Sequence, residues 1–308
     1  MTAAWVAASV RARSMAQRRA GAGVIGRLTV QRSIADALPL LTDTAYAERL
    51  GGCIDLAVAE RGTRDTVLWQ LRVLAGWMPA RGTRLARAVA GTFERDNIVA
   101  LAGQLDGGPS PHGPFDLGAL ATSWPRLRTA ASAEELAQTL RRSPWGGIGS
   151  GSRADLRDVL TLVWLRRLAA VAPEAQSWAG AAGALIVARI VLVDDTAPSP
   201  RILALVRPML GRAWETARDL AQLRAALPSS VRPVLRGIDA PEELWRAEAG
   251  MRAAVEVDGF LLLGSSRPGP DVVLGAIAVL AMDAWRVRAA LAAAAAGAGS
   301  SEVLDAVA

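Results

Sequence analysis

Apolar positions along this chain fall on helical stripes rather than in alternating runs, so the pattern predicts helices from end to end. A first helix passes through Trp5, Val10 and Met15 with its arginines on a solvated face, and Gly21 to Gly26 reads as a soft break behind it. Ile54 to Trp77 is a long helix whose stripe is Leu68, Leu71, Val73 and Leu74, stopped by Pro79. A second long helix runs from Thr83 to about Leu105, where Phe93, Asn97, Leu101 and Leu105 share one face. Asn97 is therefore expected to be a buried amide with satisfied hydrogen bonds, beside Asp96. Further helices are expected over Arg153–Val171 and Pro173–Val193, and another follows Asp219 with Arg246 and Arg252 along it. The last, with Asp271 as its expected cap, runs to about Ala296, on the order of 35 Å. Its seam of Leu274, Ile277, Ala281, Ala284, Arg288 and Leu291 is spaced as in a coiled coil, and the charges within it must be paired.

One short pattern occurs three times with identical offsets: a cap residue, seven positions, Leu, two positions, Ser or Thr. It reads Ser33, Leu41, Thr44, then Ser132, Leu140, Ser143, then Asp219, Leu227, Ser230. Asp36, Glu135 and Gln222 stand three residues after the caps, where a capping box places its carboxylate or amide, so each copy predicts a helix of about two turns. Tyr46 and Trp145 follow as large anchors in the first two copies, and Arg232 takes that place in the degenerate third. A period of roughly 90 to 100 residues is too long for a solenoid and implies three subdomains, at residues 1–112, 113–200 and 201–308.

Composition agrees with an all-α fold: Ala, Leu and Arg dominate, Lys is absent, and there are one Tyr and three Phe. The net charge of +6 is carried by Arg and suits nucleic acid, an anionic membrane surface or an acidic protein partner, or reflects coding bias. A single Cys, Cys53, excludes an internal disulfide and fits a reducing compartment. Neither Ala181–Val193, interrupted by Arg189, nor the charged last helix reads as a membrane span, and the N-terminus lacks the order of a secretory signal.

Candidate chemistry is sparse. The only His, His112, lies in the Gly107–Pro114 linker and reads as solvated. The glycine run from Gly146 to Gly151 has no preceding strand and no P-loop Lys, and reads as a hinge. Asp194 and Asp195 lack further ligands for a metal. No catalytic residue, cofactor site or metal site is expected. The alternatives are an Arg-rich nucleic-acid-binding or scaffold protein, and a metal-dependent helical-bundle enzyme.

Val10–Met15, Thr44–Tyr46, Asp96–Ile98, Leu140–Trp145 and Val272–Arg288 together resemble the C-subunit family of V/A-type ATPases, called subunit d in eukaryotes. Where that family carries an Asn in its last helix, Arg286 stands here. The resemblance implies three similar helical subdomains around a pseudo-threefold axis, making a funnel. It implies a non-catalytic central-stalk subunit, a socket between the rotor shaft and the membrane proteolipid ring, in proton or sodium transport. The implied place is the cytoplasmic face of the membrane, peripheral, with no nucleic acid and no small-molecule substrate. Tyr46, Asp96, Asn97, Asp283 and Arg288 are the positions expected to hold the scaffold together.

Overall fold

A computed structural model describes residues 3–53, 55–109, 112–149 and 153–306. Ile54, residues 110–111 of the linker and residues 150–151 of the glycine run lie outside the described residues. All regular structure described is helical, so the fold is all-α. The chain divides into two compact units, Met1–Ala86 with Arg252–Ala308, and Arg87–Met251.

The first unit holds α1 (Ala3–Gln17), α2 (Gly21–Thr29), α3 (Ile34–Ala37), α4 (Ala47–Leu50) and α5 (Leu56–Trp77). The second contains α7 (Trp124–Leu127), α8 (Ala133–Arg141), α9 (Arg153–Val171), α10 (Gln176–Ala188), α11 (Pro200–Leu210) and α12 (Leu220–Ala226). The boundary between the units falls within α6 (Thr83–Leu105) and within α13 (Leu244–Leu263). α14 (Pro270–Ala295) and α15 (Glu302–Asp305) return to the first unit.

α14 is the centre of the first unit. Every residue from Val272 to Leu280 is buried, and α1, α2, α3 and α5 pack against it. A run this apolar is stable only when other helices cover it on all sides. Two glycines allow the closest approach: a Cβ on Gly275 would lie 2.5 Å from both the Gly259 carbonyl oxygen and the Leu263 nitrogen. α13 and α14 therefore meet backbone to backbone. Asp271 lies in the first turn of α14 and is not its cap; that position is Gly269, whose N–H donates to Ser9 Oγ at 3.1 Å.

In the second unit α9, α10 and α11 pack on one another around a core that includes Trp145 and Trp214, both essentially inaccessible. The helix expected over Pro173–Val193 forms in three parts: a 3₁₀ turn at Pro173–Ala175, then α10, then a π-helical stretch at Arg189–Val193. By length and composition this run is apolar enough to cross a membrane, which the shorter Ala181–Val193 window had hidden. Its face of Ala179, Gly180, Gly183, Ala184, Val187 and Ala188 is buried against protein, as in a core helix.

Two further expectations change. Gly21 to Gly26 is not a break but most of α2, because Asp283 supplies the acceptor that its first amides need. Val10 is 61% exposed, since the buried stripe of α1 runs through Trp5, Ser9, Ala12 and Ala16.

Candidate functional site

The three repeated caps form as their spacing predicts. Ser33 Oγ accepts from the Asp36 amide at 3.1 Å, Ser132 Oγ from the Glu135 amide at 3.1 Å, and Asp219 Oδ1 from the Gln222 amide at 2.8 Å. Glu135 and Gln222 reach back to the amides of Ala131 and Arg218, so two caps are reciprocal. In the first copy Pro39 falls six residues after the cap, and the helix tightens into a 3₁₀ turn over Leu38–Leu41.

The hydroxyl that closes the motif has one job in copies one and two. Thr44 Oγ1 donates to the Leu41 carbonyl at 2.7 Å and accepts from the Tyr46 amide at 3.2 Å. Ser143 Oγ donates to the Leu140 carbonyl at 2.8 Å and accepts from the Trp145 amide at 3.1 Å. Each hydroxyl thus turns the chain and aims the next aromatic ring.

Both aromatic anchors end on a buried carboxylate. In the first unit Tyr46 donates its hydroxyl proton to Asp283 Oδ2 at 2.7 Å. The same carboxylate accepts from the Ala20 and Gly21 amides at 3.0 and 2.8 Å, which satisfies the start of α2. In the second unit the Trp145 indole N–H donates to Glu94 Oε2 at 3.0 Å. Glu94 Oε1 accepts from the amides of Thr122, Ser123 and Trp124 at 2.8, 2.7 and 2.8 Å, satisfying the start of α7, while the Thr122 hydroxyl donates to Oε2. Asp283 and Glu94 are each 1% exposed. These donors satisfy carboxylate oxygens that burial has removed from water. Burial, with Asp283 beside it, pushes the Tyr46 hydroxyl well above its usual range.

The third copy docks through a close apolar contact. Arg232 turns back onto its own segment, donating to the Ala225 and Leu227 carbonyls at 3.1 Å each. Its neighbour Val231 packs so close to α10 that a Cβ on Gly180 would lie 2.9 Å from Val231 Cγ2. A glycine surface replaces the carboxylate.

The remaining expected positions are scattered. Asn97 is 2% exposed, and its amide bonds both ways to the Phe115 backbone, donating to the carbonyl at 2.9 Å and accepting from the N–H at 2.7 Å. Phe93 stacks edge-on against the Phe115 ring, 5.2 Å between centroids. Asp96 is half-buried and pairs with its neighbour Arg95 at 2.7 Å, and the Arg95 guanidinium lies over Trp164. Arg288 reaches Glu60 at 3.7 Å, with both side chains about one-third exposed. Arg286, at the position where the resemblance has an Asn, pairs with Glu256.

Glu94 was not singled out in the sequence. The signal is there: Ala90, Gly91, Asn97 and Ile98, three or four residues to either side, are all apolar or expected to be buried, the same test that Asp283 passes.

Other candidates resolve into structure. Asp194 pairs with Arg189, which also holds Asp158. Burial raises the Asp158 carboxyl above its ordinary value, and the Arg189 contact works against that rise. His112 is half-buried rather than solvated. Gly146 and Gly149 have φ of 72° and 78°, and Arg201 packs over both where side chains would otherwise stand. No group of three or more His, Cys, Asp or Glu side chains able to hold a metal occurs among the described residues. The fold and these contacts define an all-helical protein whose buried polar groups tie helices together. Compared with known proteins, the chain matches no family model and no curated sequence.

Proposed function

We propose that this chain is a non-catalytic central-stalk subunit of a V/A-type rotary ATPase, a socket that couples the rotor shaft to the membrane proteolipid ring. The observation that carries the reading is the order in which the three capped segments dock. The first copy anchors on α14, which lies in the last third of the sequence; the second anchors on α6, in the first third; the third packs on α10, in the middle third. Each copy thus uses the long helix of the preceding third, and the series closes on itself. That cyclic order supports three related subdomains about a pseudo-threefold axis. It goes with the family resemblance of the same motifs, and a funnel follows from the resemblance.

A rotor adaptor must be stiff, because torque lost to internal bending is not transmitted. Buried carboxylates with three or more donors each, and helices in backbone contact, are the means of stiffness here. The place of action is the cytoplasmic face of the membrane, as a peripheral subunit. The test is affinity purification of the tagged full chain from detergent-solubilised membranes of its source. Recovery of a proteolipid ring and shaft subunits in fixed ratio is expected. Recovery of the chain alone, or with nucleic acid, overturns the proposal.

A further inference from the structure

The outward side of α13 carries a cluster of exposed apolar side chains. Val257 is 59% exposed, Phe260 40% and Leu261 72%, and Ala254 and Gly264 on the same side are exposed as well. Spacings of three and four residues put these on one helical face. The opposite side is the one that meets α14, where a Cβ on Gly259 would lie 3.1 Å from Ala278 Cβ. Leu261 is a knob standing in water, not the wall of a groove.

Three arginines surround the end of this stripe. Arg19 places its guanidinium 5.0 Å from the Phe260 ring centroid. Arg13 donates to the Leu263 and Ser265 carbonyls, at the C-terminus of α13. Arg267 is exposed in the loop that follows. Among the described residues none of the three forms an ion pair. The nearby acids, Asp258 and Asp271, are both half-buried.

We propose that this arginine-ringed apolar stripe docks against an anionic lipid headgroup surface. A knob with unpaired cations around it suits a fluid surface, which closes over the side chains while phosphates meet the guanidinium groups. A protein partner would need a matched pocket for Leu261 and carboxylates for each arginine. The inference goes beyond the rotor-adaptor reading and does not depend on it.

The test is flotation of the purified full chain with vesicles of phosphatidylcholine alone and of phosphatidylcholine mixed with phosphatidylserine. Binding to the mixed vesicles only, weakening as salt is raised, is expected. Leu261→Glu should lower binding at least about tenfold, and Arg19→Gln and Arg267→Gln about fivefold each, with Lys at either position retaining most of it. Leu261 and Arg267 are exposed and Arg19 is half-buried, and unchanged helical circular dichroism checks the fold. Equal binding to both vesicles, or none, overturns the proposal. So does a wild-type dimer that Leu261→Glu converts to monomer, which would assign the face to a second copy. A chain that recovers the proteolipid ring yet ignores vesicles loses this inference and keeps the rotor-adaptor reading; the reverse result overturns that reading alone.

Discussion

Tyr46 and Asp283 make the contact on which a single-atom change says most. Removing the hydroxyl in Tyr46→Phe leaves the carboxylate with two amide donors in place of three, and hydrogen bonds to charged groups are worth about 1.5 to 3 kcal/mol. Denaturant unfolding at neutral pH should show that loss. The pH dependence has a definite sign. The folded phenol ionises above its ordinary value of 10.0, so its contribution is complete below that pH and declines as pH rises toward the folded value. The gap between wild type and Tyr46→Phe should therefore narrow above about pH 10. Because the chain has one Tyr, phenolate absorbance reads this group alone, and its midpoint should coincide with alkaline unfolding rather than precede it. Asn97→Leu is the companion case. It strips both partners from the Phe115 backbone, so roughly 2 to 6 kcal/mol should be lost at about 1 to 3 per orphaned group. Unchanged thermal unfolding would show that these backbone groups find other partners.

At the scale of elements, glycine decides how closely helices approach. Gly275→Ala would drive a Cβ to 2.5 Å from two backbone atoms of α13, contacts that no rotamer change relieves, and should cost about 3 kcal/mol. Gly76→Ala, on an open face of α5 with nothing within 4 Å, should instead stabilise by about 0.5 to 1 kcal/mol. Thermal melts of the two variants side by side separate packing from propensity, and equal effects would contradict the close crossing. Gly180, beneath Val231, belongs with Gly275: in the third docking, absence of a side chain does what Glu94 and Asp283 do in the other two.

At the scale of the whole molecule, many arginines are occupied within the fold. Arg61, Arg95, Arg189, Arg207, Arg246 and Arg286 have acidic partners, and others lie over Trp rings, as Arg11 does over Trp77 and Arg167 over Trp145. The count of 35 arginines therefore overstates the positive charge that is free to meet a polyanion. The purified chain should turn over no nucleotide, and should release duplex DNA by about 0.2 M salt, where phosphate contacts weaken steeply. Retention on DNA at that salt, or metal-dependent activity lost on Asp194→Ala, would favour the alternatives.

Helix positions, the three caps and the burial of Asn97 were legible in the sequence, because each depends on neighbours within a turn or two. A Ser three residues before Asp36 or Glu135 needs nothing distant to make its hydrogen bond. The anchoring role of Tyr46 could be guessed from its size and place, but not its partner, which lies 237 residues away. Glu94 was passed over in the sequence, because the start of α7 and the Trp145 indole reach it only in the folded chain. Gly21 to Gly26 looked like a break until Asp283 arrived to satisfy its amides. Local hydrogen bonding is written in local spacing. Which carboxylate is desolvated, and which glycine must stay bare, depends on helices that meet only after the chain has folded.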